Sequence, residues 1–204
     1  EIMAAGETYG HHVVCAGFAV KRILERFGKD EICPDDVFLL NDPYLAAIHN
    51  PDVYVISPIH YQNELVGWSA TFVHVSDVGA MTPGGDSPDA TEIFQEGIRI
   101  PGIKLVERGK LRRDVFDTIT HMTRQPEAVG LDLKCEIAAN NVAKSRVQSV
   151  YRQYGPELVN AVSMEMIHYT ETILRSRIRE IPDGVWSERL TIEADGACKL
   201  ALTL

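Results

Sequence analysis

The sequence predicts an α+β fold, with a mixed sheet built around an antiparallel hairpin and long helices after it. Three observations predict it. Two β-rich runs, Asp52 to Ile59 and Leu65 to His74, are separated only by HYQNE. Apolar residues recur at helical spacing from Pro126 to about Arg179. The chain then returns to strand-like alternation in LTIEADGACKLALTL.

The elements follow in order. His12 to Phe27, HVVCAGFAVKRILERF, has a helical apolar stripe, basic residues late, and Gly28 where a C-terminal cap belongs. ICPDDVFLL reads as a turn into a short buried strand, closed by the turn formers Asn41, Asp42 and Pro43. The hairpin comes next, its turn centred between Gln62 and Asn63. Val75 to Ile98 is rich in glycine and acids without a sustained period, which predicts a long loop, and loops of that length in compact domains are usually functional. IPGIKLVERG adds a short strand and a glycine turn.

A helix is then expected from Pro126 to Tyr154, packing through Val129, Leu133, Ile137, Val142 and Val147. Gly155 and Pro156 break it before a second helix carrying Leu158, Val162, Met166, Thr170 and Ile173. Pro182, Asp183 and Gly184 end the helical part. The expected division is an α/β core over 1–181 and the start of a β-rich segment over 182–204. A terminal LALTL with nothing polar after it suggests a piece of a longer chain.

Composition narrows the function classes. With 45% hydrophobic and 24% charged residues the chain sits in the globular range. A formal net charge of -9 disfavours nucleic acid as a partner. No run approaches the roughly 18 apolar residues of a membrane span. No basic-then-apolar leader opens the chain, and Cys15, Cys33, Cys135 and Cys198 are too scattered for a zinc cluster or a disulfide framework. A cytoplasmic protein with reduced thiols is expected, making no membrane contact.

The chemistry concentrates at NDPYLAAIHNPDV, residues 41–53. If cross-strand partners in the hairpin sum to about 125, His74 falls opposite Pro51 and diagonal to His49 and Asp52. Two imidazoles and a carboxylate suit zinc, manganese or iron, and three protein donors leave a position open for water or substrate. From spacing alone the same residues also read as a turn residue, a residue opening a strand and a core histidine, because register can slip by one. Asp77, Asp86, Glu92 and Glu96 lie on the long loop. Of these, Asp77 and Glu92 are candidates for acid–base catalysis at its mouth. Arg99 could neutralise an anionic substrate. No GxxxxGK[ST] loop, GxGxxG turn or GxSxG elbow occurs, so a nucleotide, if used, is bound elsewhere.

NDPYLAAIHNPDV, then TEIFQEGIRIPGIKLVERG, then LDLKCEIAANN with a basic helix, resemble in order the B-type subunit of the hydantoinase/oxoprolinase family over about residues 10 to 180. That family includes ATP-dependent N-methylhydantoinases, 5-oxoprolinases, caprolactamase, and acetone and acetophenone carboxylases. The resemblance implies a hetero-oligomer in which an A-type, actin-like ATPase subunit uses ATP to activate a small cyclic amide or ketone. The B-type subunit then completes the reaction at a metal. The family's H-x-x-D motif and downstream histidine fall on His49, Asp52 and His74. His12 sits where the family has a histidine before the first helix, a candidate for the substrate pocket. The family's chains are several hundred residues longer, and an acidic residue near their N-terminus would lie before Glu1. Three readings follow: a cyclic amide hydrolase subunit, a ketone carboxylase subunit, or an assembly subunit without catalysis.

Overall fold

The computed structural model describes residues 2–6, 10–85, 87–185, 187–192 and 198–203. Their order is α1 (Gly10–Phe27), β1 (Val37–Leu40), β2 (Asp52–Tyr61), β3 (Glu64–His74), a 3-10 turn (Ile93–Glu96), β4 (Pro101–Glu107), β5 (Lys110–Leu111), α2 (Arg113–His121), α3 (Pro126–Arg179), β6 (Ser187–Ile192) and β7 (Cys198–Thr203). Two compact units result, Glu1–Val159 and Asn160–Leu204. No helix among the described residues is long and apolar enough to cross a membrane.

In the first unit five strands form one sheet in the order β3-β2-β1-β4-β5. The α+β class holds, but every pairing is antiparallel where a mixed sheet was expected. Successive side chains on a strand face opposite sides, so each strand serves two cores. Tyr54 and Ile56 of β2 pack with Phe38, Leu40 and the α1 residues Ala19 and Ile23. Val53 and Val55 pack on the other side with Ile119, Val129 and Leu133 of α2 and α3. Covered on both faces, β1 is buried at all four positions, which explains its unbroken apolar VFLL.

The hairpin carries an informative difference. Gln62 and Asn63 both have positive φ, 50° and 68°, the left-handed pair that matches the twist of the strands. Near this turn His60 faces Leu65, a sum of 125 as expected, but Ile59 faces Gly67. Val66 is therefore an extra residue on β3, a bulge that advances the register by one. Beyond it Asp52 faces His74 directly, in place of the expected pairing of His74 with Pro51. Directly opposed residues share a face, so the bulge turns Asp52 and His74 toward the same side.

Three further differences concern helices. The nine-residue α2 was not expected. α3 breaks at Gly155 (φ 76°, ψ 156°) before Pro156, as its sequence predicts. Its buried face differs from the expected stripe, however. Val129 and Leu133 are joined by Glu136, Asn140 and Tyr151, while Val142 is exposed. Asn140 tolerates burial because Ser69 Oγ donates to its Oδ1 at 2.6 Å and its Nδ2 donates to the Val55 carbonyl at 2.9 Å. Past the break, Leu158 at the end of the first unit and Val162, Met166 and Ile173 in the second, all expected to pack, are exposed.

Among its described residues the segment from Val75 to Ile98 has no strand, as expected, yet its start belongs to the core. Val75, Val78 and Ala80 are buried. At Gly79 (φ 70°) an added Cβ would collide with the Met122 carbonyl, and at Gly97 (φ 106°) it would come within 2.5 Å of the Val78 carbonyl. These glycines permit close packing at a backbone conformation that other residues rarely adopt.

Candidate metal centre

Local hydrogen bonding explains why His49 and Asp52 are held where they are. Asp42 opens a turn: its carboxylate accepts the Tyr44 N–H at 3.0 Å, and its carbonyl accepts the N–H groups of Leu45, Ala46 and Ala47. Ala46 and Ala47 are buried in the α1-side core. A second turn closes with the Asp52 N–H donating to the His49 carbonyl at 3.1 Å. Two fully buried asparagines tie these turns to the segment before β4. Asn41 Nδ2 donates to the Asn50 carbonyl at 2.6 Å and the Ile98 carbonyl at 3.0 Å, and Asn50 Nδ2 donates to the Gly97 carbonyl at 3.1 Å. Sequence reasoning treated Asn41 only as a turn former and passed over Asn50. The place of Asn50 inside the H-x-x-D stretch was the available signal.

The donor atoms of His49, Asp52 and His74 form a small triangle. His49 Nε2 lies 3.0 Å from Asp52 Oδ1, His74 Nδ1 lies 3.6 Å from the same oxygen, and the two nitrogens are 3.1 Å apart. An ion bound at about 2.1 Å needs donors roughly 3.0 Å apart at octahedral angles and roughly 3.4 Å apart at tetrahedral ones, so these separations fit without rearrangement. Among the described residues these three form the group of metal-competent side chains, and neither Asp77 nor Glu92 falls within it. Asp52 is 1% exposed and its Oδ2 accepts no hydrogen bond, whereas both histidine rings reach solvent. A buried carboxylate facing two imidazoles at an open rim suits a divalent transition metal.

His12 lies behind this triangle, its Nδ1 3.5 Å from Asp52 Oδ2 and its ring stacked on Phe72 at 4.2 Å. Burial lowers its pKa and Asp52 partly offsets that. Burial, then Cys15 and Asp52, push the Tyr54 hydroxyl above the ordinary phenol range, so it remains a hydrogen-bond donor. Gly85 (φ 84°) borders the site: a Cβ there would meet Pro51 at 2.6 Å and lie 3.5 Å from His74 Nε2.

The other candidates occupy distinct settings. Asp77 is 1% exposed and accepts the Arg124 N–H at 2.6 Å, the Arg124 guanidinium at 2.8 Å and the Gly79 N–H at 3.1 Å. Burial alone would raise its pKa, but these donors outweigh it and hold the carboxyl below the usual range. These bonds make Asp77 the clamp between the loop and the α2–α3 connection. Asp77→Ala should destabilise the full-length protein by about 2 kcal/mol, because the part-buried N–H groups of Arg124 and Gly79 and the Arg124 guanidinium lose their charged acceptor. Because its folded pKa is depressed, the contribution is present above pH about 4 and is lost as pH falls through the folded value. Denaturant midpoints for Asp77→Ala that match the parent at pH 7 would contradict this role.

Glu92 is exposed and caps the 3-10 turn with Gln95. The Arg99 guanidinium lies 5.1 Å from the Phe94 ring and 5.8 Å from the Tyr44 ring, and 3.8 Å from Asp42. Phe94 and Tyr44 are 72% and 71% exposed, so this cation sits on an open aromatic rim. Asp86 lies outside the described residues.

Known proteins resemble this chain in sequence and fold. The chain is 32% identical over 197 residues to the caprolactamase subunit beta of Pseudomonas jessenii, covering 96% of this chain and 34% of that one. It is 33% identical over 174 residues to the acetophenone carboxylase delta subunit of Aromatoleum aromaticum, covering 85% and 25%. The crystal structure of the ATP-dependent caprolactamase from Pseudomonas jessenii superposes with a TM-score of 0.84 at 32% identity, over 91% of this chain and 32% of that one. The chain thus spans a quarter to a third of the length of these relatives. A family model described as hydantoinase B/oxoprolinase matches residues 1–204. With that match over its whole length and a shared fold at this identity, the chain belongs to the hydantoinase B/oxoprolinase family.

Proposed function

We propose that this chain is the metal-holding part of a subunit of an ATP-dependent cyclic amide hydrolase, acting on a hydantoin, 5-oxoproline or lactam activated by an A-type ATPase partner. The observation that carries the reading is the triangle of His49, Asp52 and His74 at metal-compatible separations, with its carboxylate buried. We place the hetero-oligomer in the cytoplasm, which the free Cys15, Cys33 and Cys135 suit.

Within this reading each side chain has a task. Asp52 presents Oδ1 to the rim and keeps Oδ2 inside, so its carboxylate cannot swing into solvent. His49 offers Nε2 and His74 offers Nδ1; a lone pair on His74 Nδ1 places that ring's proton on Nε2, beside Gly85. When bound, zinc, manganese or iron supplies Lewis acidity at the substrate's carbonyl or enolate oxygen. Arg99, stiffened between Phe94 and Tyr44, meets an anionic group of the substrate. Glu92, exposed at the cap of the 3-10 turn, is the remaining candidate for acid–base work, whereas Asp77 holds the loop.

The likeness to acetophenone and acetone carboxylases supports a second reading, a subunit of an ATP-dependent ketone carboxylase; the nucleotide-free acetone carboxylase structure superposes with a TM-score of 0.82 at 27% identity. One assay separates the two. The full-length protein with its ATPase partner is offered hydantoins, 5-oxoproline, a lactam and aromatic ketones, with and without bicarbonate. Bicarbonate-independent ring opening supports the hydrolase; turnover that requires bicarbonate replaces it with the carboxylase.

The loop over 82–88 borders His74 through Gly85 and leaves the buried anchor at Val75 to Ala80 untouched. Deleting Thr82 to Pro88 should therefore reduce turnover at least tenfold while leaving the melting temperature within a few degrees. Normal turnover of the shortened protein would reduce the loop to a connection.

A further inference from the structure

The first turn of α1 reaches the metal triangle from behind. His12 and Cys15 lie three apart on one helix face, and Asp52 and Tyr54 lie two apart on one strand face, so four polar side chains meet at the start of β2. The Tyr54 hydroxyl donates to the His12 carbonyl at 3.3 Å and presents its oxygen to His12 Nδ1 at 3.5 Å. The same Nδ1 stands 3.5 Å from Asp52 Oδ2, the buried oxygen that accepts no hydrogen bond. Phe72 fixes the plane of the ring by stacking at 4.2 Å.

A carboxylate that uses one oxygen as a donor is normally steadied through the other, and such support commonly changes metal affinity 10- to 100-fold. A separation of 3.5 Å is long for a hydrogen bond, and contacts of this kind tighten when a site is filled. We propose that His12 is a positioning residue: with its backbone held by the Tyr54 hydroxyl at the His12 carbonyl and its ring by the Phe72 stack, its Nδ1–H holds Asp52 Oδ2 so that Oδ1 stays directed at the metal. The inference rests on the metal-holding role of His49, Asp52 and His74, and it assigns His12 to that carboxylate in place of the substrate pocket. It also gives the α1 face a task beyond packing, since α1 becomes the inner wall of the site.

The test titrates metal-free, full-length protein with zinc or cobalt in competition with a chelating dye, for the parent, His12→Phe, His12→Asn and Tyr54→Phe. His12→Phe keeps the stack and loses the donor, and is expected to weaken metal binding roughly 10- to 100-fold. His12→Asn places an amide N–H near the position of Nδ1 and should recover most of the loss. Tyr54→Phe, which only releases the His12 carbonyl, should cause a smaller loss, and metal-free melting temperatures should stay close to the parent's. Parent-like affinity in His12→Phe overturns the inference and leaves the metal site standing; equal weakening in His12→Asn and His12→Phe overturns it in favour of packing. A parent that binds neither metal removes the metal reading and this inference together.

Discussion

Full-length protein carrying His74→Ala, His49→Ala or Asp52→Ala should emerge from purification nearly free of transition metal, while His60→Ala keeps the parent's content. Each of the first three removes one of three donors, and affinity should fall roughly 100-fold or more, beyond the effect of losing a residue that merely supports a ligand. His60 is the matched control because it lies on the same strand at the other end of the hairpin. Its carbonyl accepts the Gln148 side chain at 2.8 Å, a bond that survives loss of the ring, and its Nδ1 has no partner. Fold damage to the hairpin would affect both kinds of variant. Only the donor triangle distinguishes them. Equal metal in His74→Ala and the parent would remove the basis for any metal chemistry here.

Glu136→Gln is expected to stabilise the protein on the order of 2 kcal/mol at pH 7 to 8, and not at pH 4. Glu136 is 6% exposed on the sheet-facing side of α3, and among the described residues neither carboxylate oxygen has a partner in full hydrogen-bond geometry, the Thr71 hydroxyl being the nearby donor. Burial pushes its pKa to about 8, with the Thr71 hydroxyl opposing the rise and Asp132 adding to it. The unfolded chain releases this proton near the ordinary value of 4.5, the folded chain only near 8. Stability from this group is therefore complete below pH 4.5, falls as pH rises toward 8, and levels off above it. An amide cannot ionise, so the variant escapes the decline. Unfolding midpoints of parent and variant that run parallel from pH 4 to 8 would show that Glu136 is solvated in the folded protein.

The metal triangle and Glu136 mark what could and could not be read from the chain. The hairpin was legible because its alternation is strong and Asn63 favours the left-handed turn. The bulge was not, because Val66 is an ordinary strand residue and only pairing shows it to be extra. The break in α3 was announced by Gly155 and Pro156, and the α1 stripe by its spacing and Gly28. The short α2 begins Arg113-Asp114, next to Arg112, polar enough to pass for a loop. Of the site, His49, Asp52 and His74 stood out by donor chemistry and approximate register. Glu136 and Asp77 looked like solvated carboxylates, since burial depends on partners far along the chain: Thr71 lies beneath Glu136, and Arg124 grips Asp77 from 47 residues away.

Anomalous diffraction from crystals of the full-length protein, recorded at the absorption edge of the metal it carries, tests the centre most directly. The expected result is a single peak about 2.0 to 2.3 Å from His49 Nε2, Asp52 Oδ1 and His74 Nδ1, with at least one further position not filled by these three side chains. A metal held by other residues, with His49, Asp52 and His74 bare, would contradict it.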